Sequence, residues 1–152
     1  MPGEKIVARN RKALHNYALE DRFEAGIVLA GTEIKSIRAG KVNLADGYAQ
    51  PRNGELWLVN VHIAPYDPSG RSGHAPTRPR KLLLHRREIN RIIARVQERG
   101  YTLIPLRLYL KDGRAKVEIA LARGKRQYDK RQAIAKRDAQ RDVERAMKDR
   151  HS

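Results

Sequence analysis

Two dipeptides, Asn53-Gly54 and Asp112-Gly113, each stand between runs of alternating apolar residues, and they restrict the fold of this chain more than any other feature. A two-residue hairpin turn of type I′ needs positive φ at both central positions, which Asn, Asp and Gly accept at the lowest steric cost. The first turn joins Tyr48-Ala49-Gln50 to a strand within residues 55–63, where Trp57, Val59, Val61 and Ile63 are expected on one core-facing side. The second joins a strand with Ile104, Leu106, Leu108 and Leu110 on one face to a strand carrying Val117, Ile119 and Leu121, in what reads as strict alternation. Residues 23–30 suit a further strand, with Gly26 allowing a bulge or sharp bend.

Short helices punctuate these strands. Asn10 is placed to cap a helix over 9–17, anchored by Leu14 with help from Tyr17. Thr32 is expected to cap a second helix whose Ile34 and Ile37 share a face and which Gly40 stops. Ile89, Ile92, Ile93 and Val96 recur at i, i+3, i+4 and i+7, a helix with one apolar stripe that ends at Gly100. Residues 1–9 read as loose, and residues 65–79 as a polar loop. About five or six strands with short helices in so small a body point to a mainly β fold, an OB-fold-like small β-barrel. The expected division is a body over residues 1–122 and a basic tail over residues 123–152, which has almost no large apolar side chains.

Charge says what such a chain seeks. With 33 Lys and Arg against 17 Asp and Glu, the net charge is +16, a self-repulsion that polyphosphate relieves by counterion release. A membrane surface would also attract it, but the tail lacks the Trp, Phe and Leu that a membrane-lying helix needs, and no stretch reaches the roughly 20 apolar residues of a span. The absence of cysteine rules out a disulfide framework and a thiolate zinc site. No secretion signal is evident in the first residues, and a cytoplasmic, monomeric protein is the expectation.

Catalytic candidates are weak. The five histidines, His15, His62, His74, His85 and His151, have no metal-ligand spacing, so neither a metal nor a cofactor is expected. Glu33 and Asp46 are the carboxylates one would nominate for a magnesium-dependent nuclease, but an isolated Glu33 reads better as a charge at a helix start. The cations form two clusters instead: Lys35, Arg38 and Lys41, and then Arg78, Arg80, Lys81, Arg86 and Arg87 around Leu82-Leu83-Leu84-His85. Such clusters suit a surface that tracks phosphates. The function reading is therefore a non-enzymatic RNA-binding protein, with a generic basic OB-fold protein of ribosomes or single strands as the alternative.

Three stretches narrow this. They are Phe23-Glu24-Ala25-Gly26-Ile27-Val28-Leu29-Ala30-Gly31-Thr32-Glu33-Ile34-Lys35-Ser36-Ile37-Arg38-Ala39-Gly40, then Arg80-Lys81-Leu82-Leu83-Leu84-His85-Arg86-Arg87-Glu88-Ile89, and Gly124-Lys125-Arg126-Gln127-Tyr128-Asp129-Lys130-Arg131. In order and spacing they resemble the SsrA-binding protein (small protein B) family, over about Ile6 to Met147. The resemblance implies an OB-fold body that binds the tRNA-like domain of transfer-messenger RNA and accompanies it to stalled ribosomes for rescue and peptide tagging. It implies RNA contacts at Asn10, Glu24 and Leu83, backbone contacts around Lys35, Arg38 and Lys41, and a contact at His85, where relatives can carry Asn. Lys12 and Arg86 join these candidates from the same basic neighbourhoods.

The resemblance also implies a tail that is disordered in solution and becomes helical in the empty messenger channel near the decoding centre and its 16S rRNA. Gly124, Lys125, Asp129, Lys130 and Arg131 match its characteristic residues. Beyond them Lys130, Arg137, Arg141, Arg145 and Lys148 follow spacings of 7, 4, 4 and 3, one helical face suited to an rRNA backbone. Ala146 stands where relatives often carry a large aliphatic residue, which leaves Val143 and Met147 as the apolar anchor.

Overall fold

In the computed structural model, which describes residues 4–65, 74–98 and 100–124, alternation gives way to a closed ring of strands. The elements in chain order are β1 (Glu4–Arg9), α1 (Arg11–Asn16), β2 (Tyr17–Ile27), α2 (Gly31–Arg38), β3 (Val42–Asn43) and β4 (Tyr48–Arg52). They continue with β5 (Glu55–Val59), β6 (His62–Ile63), β7 (Arg80–Leu83), α3 (Arg86–Val96), β8 (Thr102–Lys111) and β9 (Arg114–Gly124). The main sheet runs β1-β8-β4-β5-β7-β2-β9, and β9 also pairs with β8, so that six strands meet end to end with β1 added outside. The expected mainly β fold with short helices is what forms. Both Gly-marked hairpins are present, with φ of 52° and 76° at Asn53-Gly54 and 51° and 79° at Asp112-Gly113.

Ring closure buries a main core that includes Leu56, Leu58, Leu82, Leu103, Leu108 and Ile119, all fully covered. Against its open side lies α3, whose Ile89 and Ile92 are buried while Ile93 and Val96 pack at the margin. Truncating any of these leucines to Ala would cost about 2–5 kcal/mol in lost transfer energy and cavity. A smaller cluster of Ala13, Ile104, Leu106, Ala120 and Ala122 lies beneath α1.

Several sequence expectations change. The second strand of the first hairpin buries Leu56 and Leu58, leaving Trp57 and Val59 half-covered on the opposite side. Asn60 adopts φ of 63°, breaks the strand and reverses the parity, which is why Val61 and Ile63 then point inward. In β8 a register shift between Pro105 and Arg107 also breaks strict alternation, sending Ile104 and Leu106 to the small cluster but Leu103 and Leu108 to the main core. Residues 4–9 are not loose: they form β1 on β8, which sequence reasoning missed because a strand of mixed charge and polarity carries no strong pattern. At the far end β9 runs through Gly124, past the expected boundary after residue 122.

The helix caps differ too. Asn10 does cap α1, its side-chain oxygen accepting from the Ala13 N–H at 3.3 Å, but the buried anchor is Ala13, while Leu14 is 61% exposed. The cap of α2 is Ala30 rather than Thr32: the Glu33 carboxylate reaches back to accept from the Ala30 N–H at 2.8 Å. Gly40 ends the helical turn with φ of 75°, as expected. Residues 66–73 of the polar loop and the expected tail residues Lys125, Asp129, Lys130, Arg131, Arg137, Arg141 and Met147 lie outside the described residues.

Candidate nucleic-acid interface

Adjacent strands bring four of the sequence candidates to one place. In the ladder of β2 on β7, Gly26 stands opposite Leu83, and on its other side Gly26 faces Lys116 of β9. A Cβ at Gly26 would lie 3.3 Å from the Leu83 Cβ, so glycine is what lets Leu83 lie across this junction, where it is 51% exposed. Around it, Glu24, Leu83, Leu84, His85, Glu88 and Lys116 line an open hollow of about 550 Å³. A second hollow of about 330 Å³ adjoins through Leu83 and Lys116; its floor is Ile27, Leu29 and Ile34, and Arg38 and Arg114 stand on its rim. Apolar floor with cationic rim is the combination that holds a base or ribose while engaging its phosphate.

Glu24 is one of two acidic residues that line this hollow, with Glu88, and is held in place from beneath. Buried Tyr109 donates its hydroxyl to Glu24 Oε2, and Lys111 Nζ lies 3.5 Å from Oε1. The Tyr109 hydrogen bond, with help from Lys111 and Lys116, holds the Glu24 carboxyl below the usual carboxylate range. Burial and the Glu24 carboxylate push the Tyr109 phenol well upward, so it remains a donor. An ionised, oriented carboxylate accepts hydrogen bonds from base amino groups or 2′-hydroxyls.

Other candidates lie elsewhere. Asn10 is 6% exposed, and its amide Nδ2 donates to the carbonyls of Pro105 at 2.9 Å and Leu44 at 3.3 Å. With its oxygen taken by Ala13, the Asn10 side chain braces the floor of a separate hollow rimmed by Lys12, Tyr17, Asp46 and Tyr48. Lys35, Arg38 and Lys41 are exposed on α2 and its exit, as read from the sequence. Arg86 is exposed but engaged, donating to the Gly54 carbonyl and the Glu55 carboxylate, both at 2.7 Å. Gly124 belongs to β9, opposite Tyr17.

The second cationic cluster divides, contrary to expectation. Arg80 is fully buried and internal: Nε donates to Glu33 Oε2 at 2.5 Å, Nη1 to the Val61 carbonyl at 2.8 Å and Nη2 to the Pro76 carbonyl at 3.0 Å. Arg78 also engages both Glu33 oxygens. Burial acts to raise the pKa of Glu33, but the hydrogen bonds from Arg78, the Ala30 N–H and Arg80 outweigh it and hold the carboxyl low. Both Glu33 oxygens are thus consumed, Asp46 is exposed and lines a different hollow, and no group of three metal-ligating residues occurs among the described residues. His74 bridges Thr32 Oγ1 and the Ile63 carbonyl, at 3.0 and 2.9 Å, and so fastens the same segment to α2.

Sequence reasoning missed Tyr109, Lys111, Arg114 and Lys116. The Asp112-Gly113 turn fixes Lys111 opposite Arg114, but which strand lies beside β9 is a property of ring closure that local pattern does not carry. Trp57, expected in the core, is instead half-exposed between Gln50 and Lys81. Among the described residues no helix is long and apolar enough to cross a membrane.

Known proteins are similar to this chain in sequence and in fold. The chain is 64% identical over 148 residues to an SsrA-binding protein of Roseiflexus castenholzii, covering 97% of this chain and 94% of the relative. It is 60% identical over 146 residues to an SsrA-binding protein of Thermobifida fusca, covering 96% and 91%. A chain of a solved structure described as "tmRNA-SmpB: a journey to the center of the bacterial ribosome" matches with a TM-score of 0.67 and 47% identity, over 77% of this chain and 82% of that one. The model of the family described as SmpB protein matches residues 7–149, nearly the whole length, and the chain belongs to that family.

Proposed function

We propose that this protein binds transfer-messenger RNA and carries its tRNA-like domain to stalled ribosomes for trans-translation. The observation that carries this reading is the family match over residues 7–149 together with the likeness to a chain solved as tmRNA–SmpB in the ribosome. The protein acts as an adaptor rather than an enzyme, in the cytoplasm, where stalled ribosomes are. Consistent with that role, the nuclease candidate Glu33 has both oxygens committed to Arg78 and Arg80.

In this reading the RNA lies over the two hollows that meet at Leu83. Leu83 and the apolar floor take a base or ribose, Glu24 accepts hydrogen bonds, and Lys116, Arg114, Arg38 and their neighbours Lys35 and Lys41 follow the phosphates. His85 stands at the edge of the larger hollow. Asn10 acts through position, holding α1 and Lys12 on the body. The basic segment beyond Gly124 occupies the vacant messenger channel. A generic single-strand binder would need open aromatic platforms, yet Tyr101 and Tyr109 lie beneath arginines.

Competition among tmRNA, tRNA and an unrelated RNA hairpin at physiological salt tests the proposal. Preference for tmRNA by at least about tenfold over the hairpin is expected, since nonspecific phosphate binding alone does not discriminate. Equal binding to all three would overturn it.

A further inference from the structure

Tyr101 lies half-buried between two arginines where the chain, turning at Gly100 with φ of 90°, leaves the α3 end of the body and enters β8. The guanidinium carbon of Arg123 is 4.1 Å from the ring centroid and that of Arg95 is 4.9 Å away. Both side chains donate through Nη2 to the phenol oxygen, Arg95 over 2.8 Å. A phenol oxygen has lone pairs for both donors, and the ring attracts a cation.

The two arginines are not equivalent. Arg95 is surrounded by carboxylates, with Glu20, Asp21 and Glu98 between 3.5 and 3.7 Å from its nitrogens. Arg123 has no carboxylate partner among the described residues, whereas the buried Nε of each arginine is without a hydrogen-bond acceptor. What keeps its charge against the body is the ring and hydroxyl of Tyr101. Arg123 is also the penultimate residue of β9, facing Ala18, and Gly124 facing Tyr17 is the last rung of that ladder. Strand ends open readily unless side chains hold them.

We propose that Tyr101 is a positioning residue for the carboxy-terminal segment: by clamping Arg123 it keeps the last rungs of β9 closed, so that residues 125–152 always set out from one place on the body. This rests on the messenger-channel reading given above. Glu24 and Lys116, which line the RNA hollow, lie on the same two strands, β2 and β9, so the clamp fixes the tail's origin relative to the bound RNA. A fixed origin raises the tail's effective concentration at its site, and an opened β9 end adds slack that lowers it.

The chain has no cysteine, so paired spin labels at Asn90→Cys and Lys125→Cys report the origin directly. A narrow distance distribution is expected in the otherwise native protein and a clearly broader one with Tyr101→Leu. In unlabelled full-length protein, Tyr101→Leu is expected to keep tmRNA affinity within about twofold while lowering peptide tagging on stalled ribosomes about tenfold. Tyr101→Phe retains the cation–π contact without the hydroxyl and should lose only about threefold. Arg123→Ala, which leaves the ring in place, should reproduce the Tyr101→Leu loss, with no further loss in the double variant. An unchanged distance distribution overturns the clamp, and a broadened one with normal tagging overturns its role. Tail removal after Gly124 is the control: normal tagging without the tail would instead refute the messenger-channel reading, while the distances in the labelled full-length protein would still report the clamp.

Discussion

Glu33 and Glu24 are the same side chain on consecutive elements, α2 and β2, and they have opposite uses. Glu33 is fully buried and saturated by two arginines and a backbone N–H. Glu24 is on the surface, tied on one side by Tyr109 and Lys111 and open to a hollow on the other. A carboxylate whose acceptors are all consumed within the fold specifies structure; one with spare acceptors beside cations can recognise a ligand. The arginines divide in the same way, Arg80 inward and Arg38 outward.

The comparison breaks most visibly at Glu33. Glu33→Ala leaves Arg80 as an uncompensated buried charge and should lower stability by about 3–5 kcal/mol in urea unfolding. A loss below about 1 kcal/mol would show that the cluster is not structural. Glu24→Ala should do the reverse, costing tmRNA affinity about ten- to a hundredfold, or roughly 1.4–2.7 kcal/mol, while unfolding changes little. If RNA binding survived Glu24→Ala intact, the hollow would not be the recognition surface.

Smaller effects sharpen the contrast. Reversing Lys35 and Arg38 to Glu should flatten the dependence of log affinity on log salt by roughly one unit for each phosphate that the surface no longer neutralises. An unchanged slope would remove α2 from the RNA face. The pH dependence follows from the depressed carboxyl of Glu33. Because its folded pKa lies below its unfolded one, its stabilisation is complete above the ordinary glutamate range near about 4.3 and is lost as pH falls through the folded value. Urea midpoints should therefore drop on acidification below about pH 4.3, and Glu33→Gln should make that drop shallower.

Much of this is legible in the chain. Both turns are written in Asn53-Gly54 and Asp112-Gly113, and the α3 stripe in its isoleucines, because those signals are local. The fate of Glu33 is not legible, since its partners Arg78 and Arg80 are 45 and 47 residues away. Local pattern misplaces Trp57 for a related reason: one left-handed residue, Asn60, reverses strand parity and turns a continuous-looking face into two. Of the candidate site, Leu83 and Glu24 came from motif resemblance, Arg38 from the clustering of cations, and Lys116 only from the meeting of strands distant in sequence.

Closure by β9 also governs how the chain acquires its fold. β9 is the last strand of the ring, and it joins two partners, β2 and β8, whose residues begin at 17 and 102. Until residue 124 has been made, β2 lacks β9 on one side and β8 lacks it on another, leaving raw hydrogen-bonding edges with apolar residues beside them. Such pairings, far apart in sequence, form late and slowly, and unpaired edges invite association with other chains. A fragment interrupted before the final strand is therefore an aggregation hazard, and the ring removes that hazard only once β9 has joined it.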